Sequence, residues 1–154
     1  MDSPLSNRGN IPVESMGLDY EFFRVLECSM RAESGDAGRH RGGMGFCRRS
    51  LITRDNVTLA TYGDRFVFAP PGILGGQPGN GAASHVLRKG RRITIGSKQS
   101  FALEKDDVLV MLTGGGAGYG DPLERARPLI ENDLDQGLIR PATARRVYRF
   151  ARRS

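Results

Sequence analysis

The chain has 154 residues, the size of one ordinary domain, with a formal net charge of +6 and a sequence pI of about 9.9. Its 21 glycines, 8 prolines and 38% hydrophobic residues favour many turns and short strands and argue against a helical bundle. The basic charge permits binding to nucleic acid, to an anionic membrane or to an acidic protein, and does not decide among them.

Other sequence features argue against a nucleic-acid-binding protein and against a membrane-spanning one. Aromatic residues make up 7% with no tryptophan, and no aromatic-rich RNA-binding stretch or zinc-finger spacing occurs. No apolar run reaches the roughly eighteen residues of a membrane span, and the start, MDSPLSNRGN, lacks the pattern of a signal peptide. We therefore expect a cytoplasmic protein without a disulfide between its two cysteines, Cys28 and Cys47.

The first half of the chain begins with a polar segment, and short predicted strands follow it. Residues 1–19 are broken by prolines and glycines and predict an N-terminal arm, followed by a single β-rich domain over 20–154. The segment YEFFRVLECSM fits either an edge strand or a helix, and we favour the strand. Short β segments are then predicted in NVTLATYG, RFVFAP, HVLR and RRITIG.

The segment SFALEKDDVLVMLT predicts two further strands around a charged turn. The second strand is nearly continuously apolar, which is typical of a central position in a sheet. Asp106 and Asp107 lie in the turn between them, where we expect both carboxylates to be solvated.

Helical signals fill the end of the chain, over 122–153. Asp121 is placed as the N-cap before Pro122, and Pro128 restarts a helix that Gly137 closes. Pro141 opens a last helix with an apolar stripe that includes Val147. The predicted fold class is α+β, mainly β: a short-stranded, glycine-rich antiparallel β body followed by two C-terminal helices.

Three glycine-rich loops interrupt this pattern: the arginine loop (33–45), the proline loop (70–85) and the glycine loop (113–122). A glycine loop before a helix can cradle a phosphate. This one has neither the Lys and Ser or Thr of a P-loop nor the glycine spacing of a dinucleotide site, and Asp121 would repel an anion. We therefore interpret it as a structural hinge.

Candidate metal ligands are few. A zinc site would have to be assembled from four scattered positions, Cys28, His40, Cys47 and His85, which lack the short spacings of such sites, so we expect no zinc. Nothing in the sequence places a base beside Cys47 for nucleophilic catalysis. No catalytic, cofactor-binding or metal-binding residue is assigned to this chain.

Four motifs occur in a fixed order: NIPVES, SGDAGRHRGGMG, GDRFVFAPPGILGGQPG and TGGGAGYGDPLER. Together they resemble the C-terminal end of the hydantoinase B/oxoprolinase family, which includes acetone-carboxylase-type subunits. The chain has Gly114 where the family usually has proline and Ala117 where it has glycine, which further argues against a backbone anion site. The family's long N-terminal part with its metal-binding motifs is absent, so the chain resembles only the C-terminal part of a family member. We interpret it as a separately encoded small subunit; a fragment of a longer protein is the alternative.

The resemblance implies a cytoplasmic hetero-oligomer that uses ATP to activate a carbonyl oxygen. We interpret the chain as an accessory subunit of an ATP-dependent carboxylase of ketones, with a hydantoinase or 5-oxoprolinase-type amidohydrolase as the alternative. ATP and a divalent metal are expected in partner subunits, a larger hydantoinase A-like and a truncated hydantoinase B-like chain. A free-standing basic binding module is the second alternative.

Docking is expected through the N-terminal arm, the loops around Arg41 and Gly75, and the C-terminal helix. The candidate subunit-interface or hinge residues are Arg39, Arg41, Gly42, Gly43, Gly75, Gly76, Gly115, Gly116, Tyr119 and Asp121.

Overall fold

The structure is a computed structural model, and it describes residues 20–151. The predicted N-terminal arm over 1–19 lies outside this range. Within it, the chain forms seven strands followed by two α-helices, which confirms the predicted α+β, mainly β class. None of the helices in this range is long and apolar enough to cross a membrane.

Five of the strands form one antiparallel sheet: β1 (Phe23–Arg31), β2 (Gly45–Ile52), β4 (Ala83–Arg88), β5 (Arg91–Ile95) and β7 (Val108–Leu112). Across the sheet they lie in the order β1-β2-β7-β4-β5. The apolar strand β7 lies at its centre, as the sequence predicts, and pairs with β2 on one edge and with β4 on the other. The segment YEFFRVLECSM forms the edge strand β1, with a bulge between Val25 and Glu27.

The other two strands, β3 (Val57–Tyr62) and β6 (Lys98–Leu103), form a separate two-stranded antiparallel sheet. Its apolar side chains pack on one face of the larger sheet. Alternation along each strand sends every second side chain into this layer. The buried members of this first core are Ile52, Val86, Ile95, Leu103 and Leu109.

The C-terminal part begins with a 3-10 turn at Pro122–Glu124 and continues with α1 (Arg127–Asp135) and α2 (Pro141–Tyr148). Gly137, with φ of +65°, follows the last residues of α1 as predicted. Around these helices lies a second core, whose buried residues are Ala37, Ile130, Ile139, Ala144, Tyr148 and Phe150.

Several sequence predictions are corrected. RFVFAP is not a strand: Arg65 has φ of +67°, and Val67 and Phe68 are both exposed. Strand β2 was missed, because its run of polar residues at Arg48, Arg49 and Ser50 hides the alternation. The last helix ends at Tyr148, where the following residue turns into the left-handed region.

Asp107 also differs from the prediction. Its side chain is 1% exposed and accepts hydrogen bonds from Arg88, with Nη2 to Oδ2 at 2.6 Å and Nε to Oδ1 at 2.9 Å. The strands around this turn do not form a hairpin, because β6 pairs with β3 and β7 pairs with β2 and β4. Burial opposes ionisation of Asp107, but the hydrogen bonds from Arg88 and from the amide of Glu104 outweigh it, and its pKa is lowered.

Replacing Asp107 with Asn should lower the free energy of unfolding by about 3 kcal/mol, because Arg88 loses its buried countercharge. The lowered pKa means that the ion pair stabilises the fold above the unfolded-state pKa and that this contribution is lost as the pH falls through the folded-state pKa. Urea denaturation at neutral pH and at about pH 3 should therefore show a smaller acid loss in D107N than in the parent. Asp106→Asn, at the exposed neighbour, is the control. Equal acid losses in D107N and the parent would contradict this account.

Candidate functional site

The arginine, proline and glycine loops pack side by side into one unit, the three-loop core. The glycine loop lies between the other two. Tyr119 forms an antiparallel bridge with His40 of the arginine loop and a parallel bridge with Ile73 of the proline loop. The loop directly follows the central strand β7, so the centre of the larger sheet positions the whole unit.

Backbone hydrogen bonds hold the three loops together. Five N–H groups of the glycine loop donate to carbonyl oxygens of the other two loops at 2.9 to 3.0 Å. In return, the arginine and proline loops donate to carbonyls of the glycine loop, for example from Ile73 N–H to Gly118 O at 3.2 Å. The five donors, with their acceptors in brackets, are Gly115 (Asn80), Gly116 (Gly43), Gly118 (Gln77), Tyr119 (His40) and Gly120 (Ile73).

Close approach of these backbones requires glycine. A Cβ on Gly115 would overlap the carbonyl oxygen of Ser34, and one on Gly118 would overlap that of Ala37. Ser34 is itself 1% exposed, so it has little room to move. The same principle places glycine at the crowded axis of a collagen triple helix.

The glycine loop does not fit a nucleotide phosphate. A phosphate cradle needs several N–H groups free to point at the ligand. Here five of them are already bound to carbonyls, and the Asp121 carboxylate stands at the start of the 3-10 turn. Asp121 Oδ1 accepts a hydrogen bond from Leu123 N–H at 2.8 Å, which confirms it as the cap.

Buried charge ties the arginine loop to α1. Arg41 Nε lies 3.2 Å from Asp133 Oδ2, and Arg125 Nη2 lies 2.8 Å from the same oxygen. All three side chains are largely buried. Arg41 therefore points inward and does not present its charge at the surface, whereas Arg39 is exposed and lies 3.8 Å from Glu124.

A polar cavity of about 250 Å³ lies between the three-loop core and α2. Asn80 Nδ2 donates to the Asp36 carboxylate at 3.1 Å and to the Glu33 carbonyl at 3.0 Å. The Glu33 carboxylate caps α2, since it accepts from the Arg140 amide and from the Thr143 hydroxyl. Burial raises the pKa of Asp36. Because these hydrogen bonds link the proline loop, the arginine loop and α2, the residues that line the cavity help to hold the fold together.

The outer end of the three-loop core is apolar and exposed. We call it the apolar tip, formed by His40, Ile73, Leu74 and Tyr119. The ring of His40 lies 6.1 Å from that of Tyr119, and Leu74 is 71% exposed. Gly75 and Asp121 adjoin the tip, because a Cβ on Gly75 would lie 3.7 Å from the Asp121 backbone.

The structure brings together the residues that the sequence singled out as a candidate interface. All ten lie in or directly beside the three-loop core. Sequence reasoning missed Asp133, Ile73 and Leu74: the aspartate stands in an ordinary helix pattern, and Ile73 and Leu74 are two apolar residues inside a proline and glycine loop. An isolated apolar pair flanked by Gly72 and Gly75 could have signalled an exposed contact.

The four candidate zinc ligands are not brought together. Cys28 and Cys47 lie on β1 and β2, His40 lies at the apolar tip, and His85 lies on β4. In residues 20–151 no three Cys, His, Asp or Glu side chains are grouped so that they could hold a metal ion. Burial, with Glu27 nearby, raises the pKa of the Cys47 thiol, which makes it a poor nucleophile.

The model of the hydantoinase B/oxoprolinase family matches residues 1–122, a range that includes all three loops. The chain belongs to the hydantoinase B/oxoprolinase family. It is 34% identical over 140 residues to an uncharacterised protein of Methanocaldococcus jannaschii, covering 91% of this chain and 24% of that protein. It is 32% identical over 121 residues to a 5-oxoprolinase of Dictyostelium discoideum, covering 78% of this chain and 9% of that one.

Two solved structures share the fold. An ATP-dependent caprolactamase from Pseudomonas jessenii superposes with a TM-score of 0.79 at 20% identity, over 89% of this chain and 24% of its own. Nucleotide-free acetone carboxylase superposes with a TM-score of 0.73 at 21% identity, over 89% of this chain and 22% of its own. The chain thus spans about a quarter or less of the length of these proteins.

The close approach of the loops gives a matched pair of glycine substitutions. Gly115→Ala should lower the free energy of unfolding by about 3 kcal/mol or more, because the new methyl group overlaps backbone that cannot move away. Gly43→Ala, in the same core with nothing near its Cβ position, should change stability by less than about 1 kcal/mol. Chemical denaturation of both variants measures this, and similar losses at the two positions would argue against the packing role.

The Asp121 cap can be tested separately. Asp121→Ala should cost about 1 kcal/mol through loss of the hydrogen bond to the Leu123 amide. Thermal unfolding gives this value, and isothermal titration with ATP checks the phosphate question. ATP binding by the isolated chain that disappears in the variant would reverse our conclusion about the glycine loop.

Proposed function

We propose that this chain is an accessory subunit of a multi-subunit ATP-dependent enzyme that acts on the carbonyl group of a small ketone, lactam or hydantoin. The observation that carries the proposal is the apolar tip on a chain that spans about a quarter or less of its relatives. A rigid loop unit that exposes adjacent apolar side chains is typical of a protein interface. The rest of the catalytic machinery would then belong to partner chains.

The charges around the tip fit a protein partner. Arg39 is exposed beside it, and its ion pair with Glu124 is long at 3.8 Å and weak, so the guanidinium could exchange it for a carboxylate of the partner. Aromatic and arginine side chains around an apolar centre are the usual anchors of an interface. Because backbone bonds fix the three loops, docking would require little ordering of this chain.

ATP and a divalent metal are assigned to the partners in this proposal, a larger hydantoinase A-like and a truncated hydantoinase B-like chain. The glycine loop has its N–H groups bound to carbonyls, and the described residues offer no grouped metal ligands. The contribution of this chain would be to close the assembly and exclude water from phosphorylated intermediates, which hydrolyse readily.

For the reaction, we propose carboxylation of a ketone, because elaboration into several subunits suits an enzyme that handles two activated substrates. The fold shared with acetone carboxylase is compatible with this. ATP-dependent opening of a lactam or hydantoin is the second candidate, and the 32% identity to a 5-oxoprolinase supports it.

The experiment is co-expression of the chain with hydantoinase A-like and truncated hydantoinase B-like proteins from the same source. We expect a stable hetero-oligomer that consumes ATP with either a ketone and bicarbonate or a lactam or hydantoin, while the chain alone turns over none of them. Product analysis separates the two reactions. A monodisperse chain that does not associate with these partners at micromolar concentration would refute the proposal, as would substrate turnover by the chain alone.

A substitution at the apolar tip should weaken this complex without unfolding the chain. Leu74 has φ of +49°, a conformation that aspartate tolerates better than leucine, so Leu74→Asp should leave the melting temperature nearly unchanged. We expect its dissociation constant for the partners to rise tenfold or more. Lys89→Asn is the control, because Lys89 also has φ of +49°, is exposed on the turn between β4 and β5, and loses one unit of charge as Leu74→Asp does. Biolayer interferometry would measure both variants, and equal effects would argue against the tip.

A further inference from the structure

A second surface, apart from the apolar tip, is a cleft of about 770 Å³ between the two sheets, which we call the β3 cleft. It lies where the small sheet stops covering the larger one. One wall is β3, the opposite wall is the end of β7, and the floor is the start of the glycine loop. Its apolar lining residues include Leu59, Phe66, Pro70, Met111 and Leu112.

The cleft runs along an open strand edge. Four successive residues of β3, from Leu59 to Tyr62, line it. Neighbouring side chains of a strand point to opposite faces, so a groove lined by consecutive residues follows the edge of the strand. Strand β3 pairs with β6 on its other edge, and no described strand pairs with the edge that borders the cleft.

The backbone pattern shows which groups face the cleft. Gly63 N–H donates to Ser97 O at 2.8 Å, which makes these two a hydrogen-bonded pair across the small sheet. Hydrogen-bonded and non-bonded pairs alternate along antiparallel strands, so Thr61 and Leu59 also bond to β6. The N–H and C=O groups of Ala60 and Tyr62 therefore point away from β6 and toward the cleft.

The rim of the cleft exposes further apolar surface. Val67 and Phe68 follow the cleft residue Phe66, and both are 81% exposed. An unpaired strand edge beside apolar surface promotes aggregation unless another chain covers it. At the far edge of the larger sheet, β5 is short and begins with two exposed arginines, Arg91 and Arg92, which protect it. The β3 edge carries no charged residue from Leu59 to Tyr62, and the charged residues of the cleft, Asp64 and Arg65, follow the end of the strand.

We propose that the β3 cleft receives an extended, apolar segment of the truncated hydantoinase B-like partner, which adds as a strand to the free edge of β3. The inference rests on the proposed function for the identity of the partner. Backbone groups spaced along an edge, with an apolar wall opposite, match an extended polypeptide. The relatives supply the candidate segment, because about three quarters of the Methanocaldococcus jannaschii protein lies outside the part that matches this chain.

The probe is a set of overlapping 15-residue peptides, about one strand with flanks, that covers this outer part of the Methanocaldococcus jannaschii protein. Fluorescence anisotropy measures their binding to the intact chain. We expect at least one apolar peptide to bind. Ala60→Pro and Tyr62→Pro should each weaken it tenfold or more, because proline removes the N–H that faces the cleft. Thr58→Pro is the matched control, since its N–H also points away from β6 but it does not line the cleft.

Amide hydrogen exchange gives a second measurement that needs no substitution. On peptide binding, the Ala60 and Tyr62 amides should exchange at least tenfold more slowly, whereas the Thr58 amide should not change. This measurement decides the matter if the proline variants fail to fold. The inference is overturned if no peptide binds, or if binding neither protects these two amides nor responds to the two proline variants. Binding of small apolar molecules in place of the peptides would likewise overturn it.

The two proposals fail separately. Peptide binding is read on the chain alone, without ATP or partner subunits. A bound and protected β3 edge together with an inactive, unassembled co-expression would leave the strand addition standing and refute the proposed function. An active complex whose Ala60 and Tyr62 amides exchange as fast as in the free chain would support the proposed function and refute the strand addition.

Discussion

Close contact between three glycine-rich backbones is the constraint on which the rest of this structure depends. Carbonyl oxygens of Ser34 and Ala37 occupy the space that side chains at Gly115 and Gly118 would need. The contact joins the two cores: the glycine loop continues the central strand of the sheet, while Ala37 belongs to the helical core. Loss of this contact would leave the helices attached to the rest of the chain mainly through side-chain contacts, such as those of Asp133 and Glu33.

Buried ion pairs then fix the parts that the backbone contact leaves free. Arg41 and Arg125 share the Asp133 carboxylate and hold the arginine loop on α1, and Arg88 holds Asp107 at the end of the sheet. Such pairs add little net stability over apolar packing, but they strongly disfavour arrangements that leave either charge unpaired. The pair of Arg41 with Asp133 therefore favours one position of the arginine loop on α1, and backbone bridges from His40 and Ile73 then hold Tyr119.

The result is a small scaffold with two open surfaces of different character. The apolar tip presents side chains on a fixed backbone, whereas the β3 cleft presents unpaired backbone groups beside an apolar wall. The tip lies on glycine-rich loops, and the cleft follows the edge of β3 that pairs with no described strand. This is consistent with a chain that represents about a quarter or less of its relatives.

Local patterns in the sequence determined most of the strands, the Asp121 cap, the end of α1 at Gly137 and the family, because each depends on neighbouring residues or on motif order. The ten candidate interface residues also proved to be neighbours in space. Only the tertiary structure decided that Asp107 is buried, that RFVFAP is not a strand and that β6 leaves the sheet of β7. The burial of Asp107 and the pairing of β6 depend on partners that are distant in the sequence. Arg88 lies 19 positions before Asp107, and β4 and β5 separate β3 from β6 along the chain. A local pattern records which residues prefer a turn or a strand, but not which distant charge or edge will meet them.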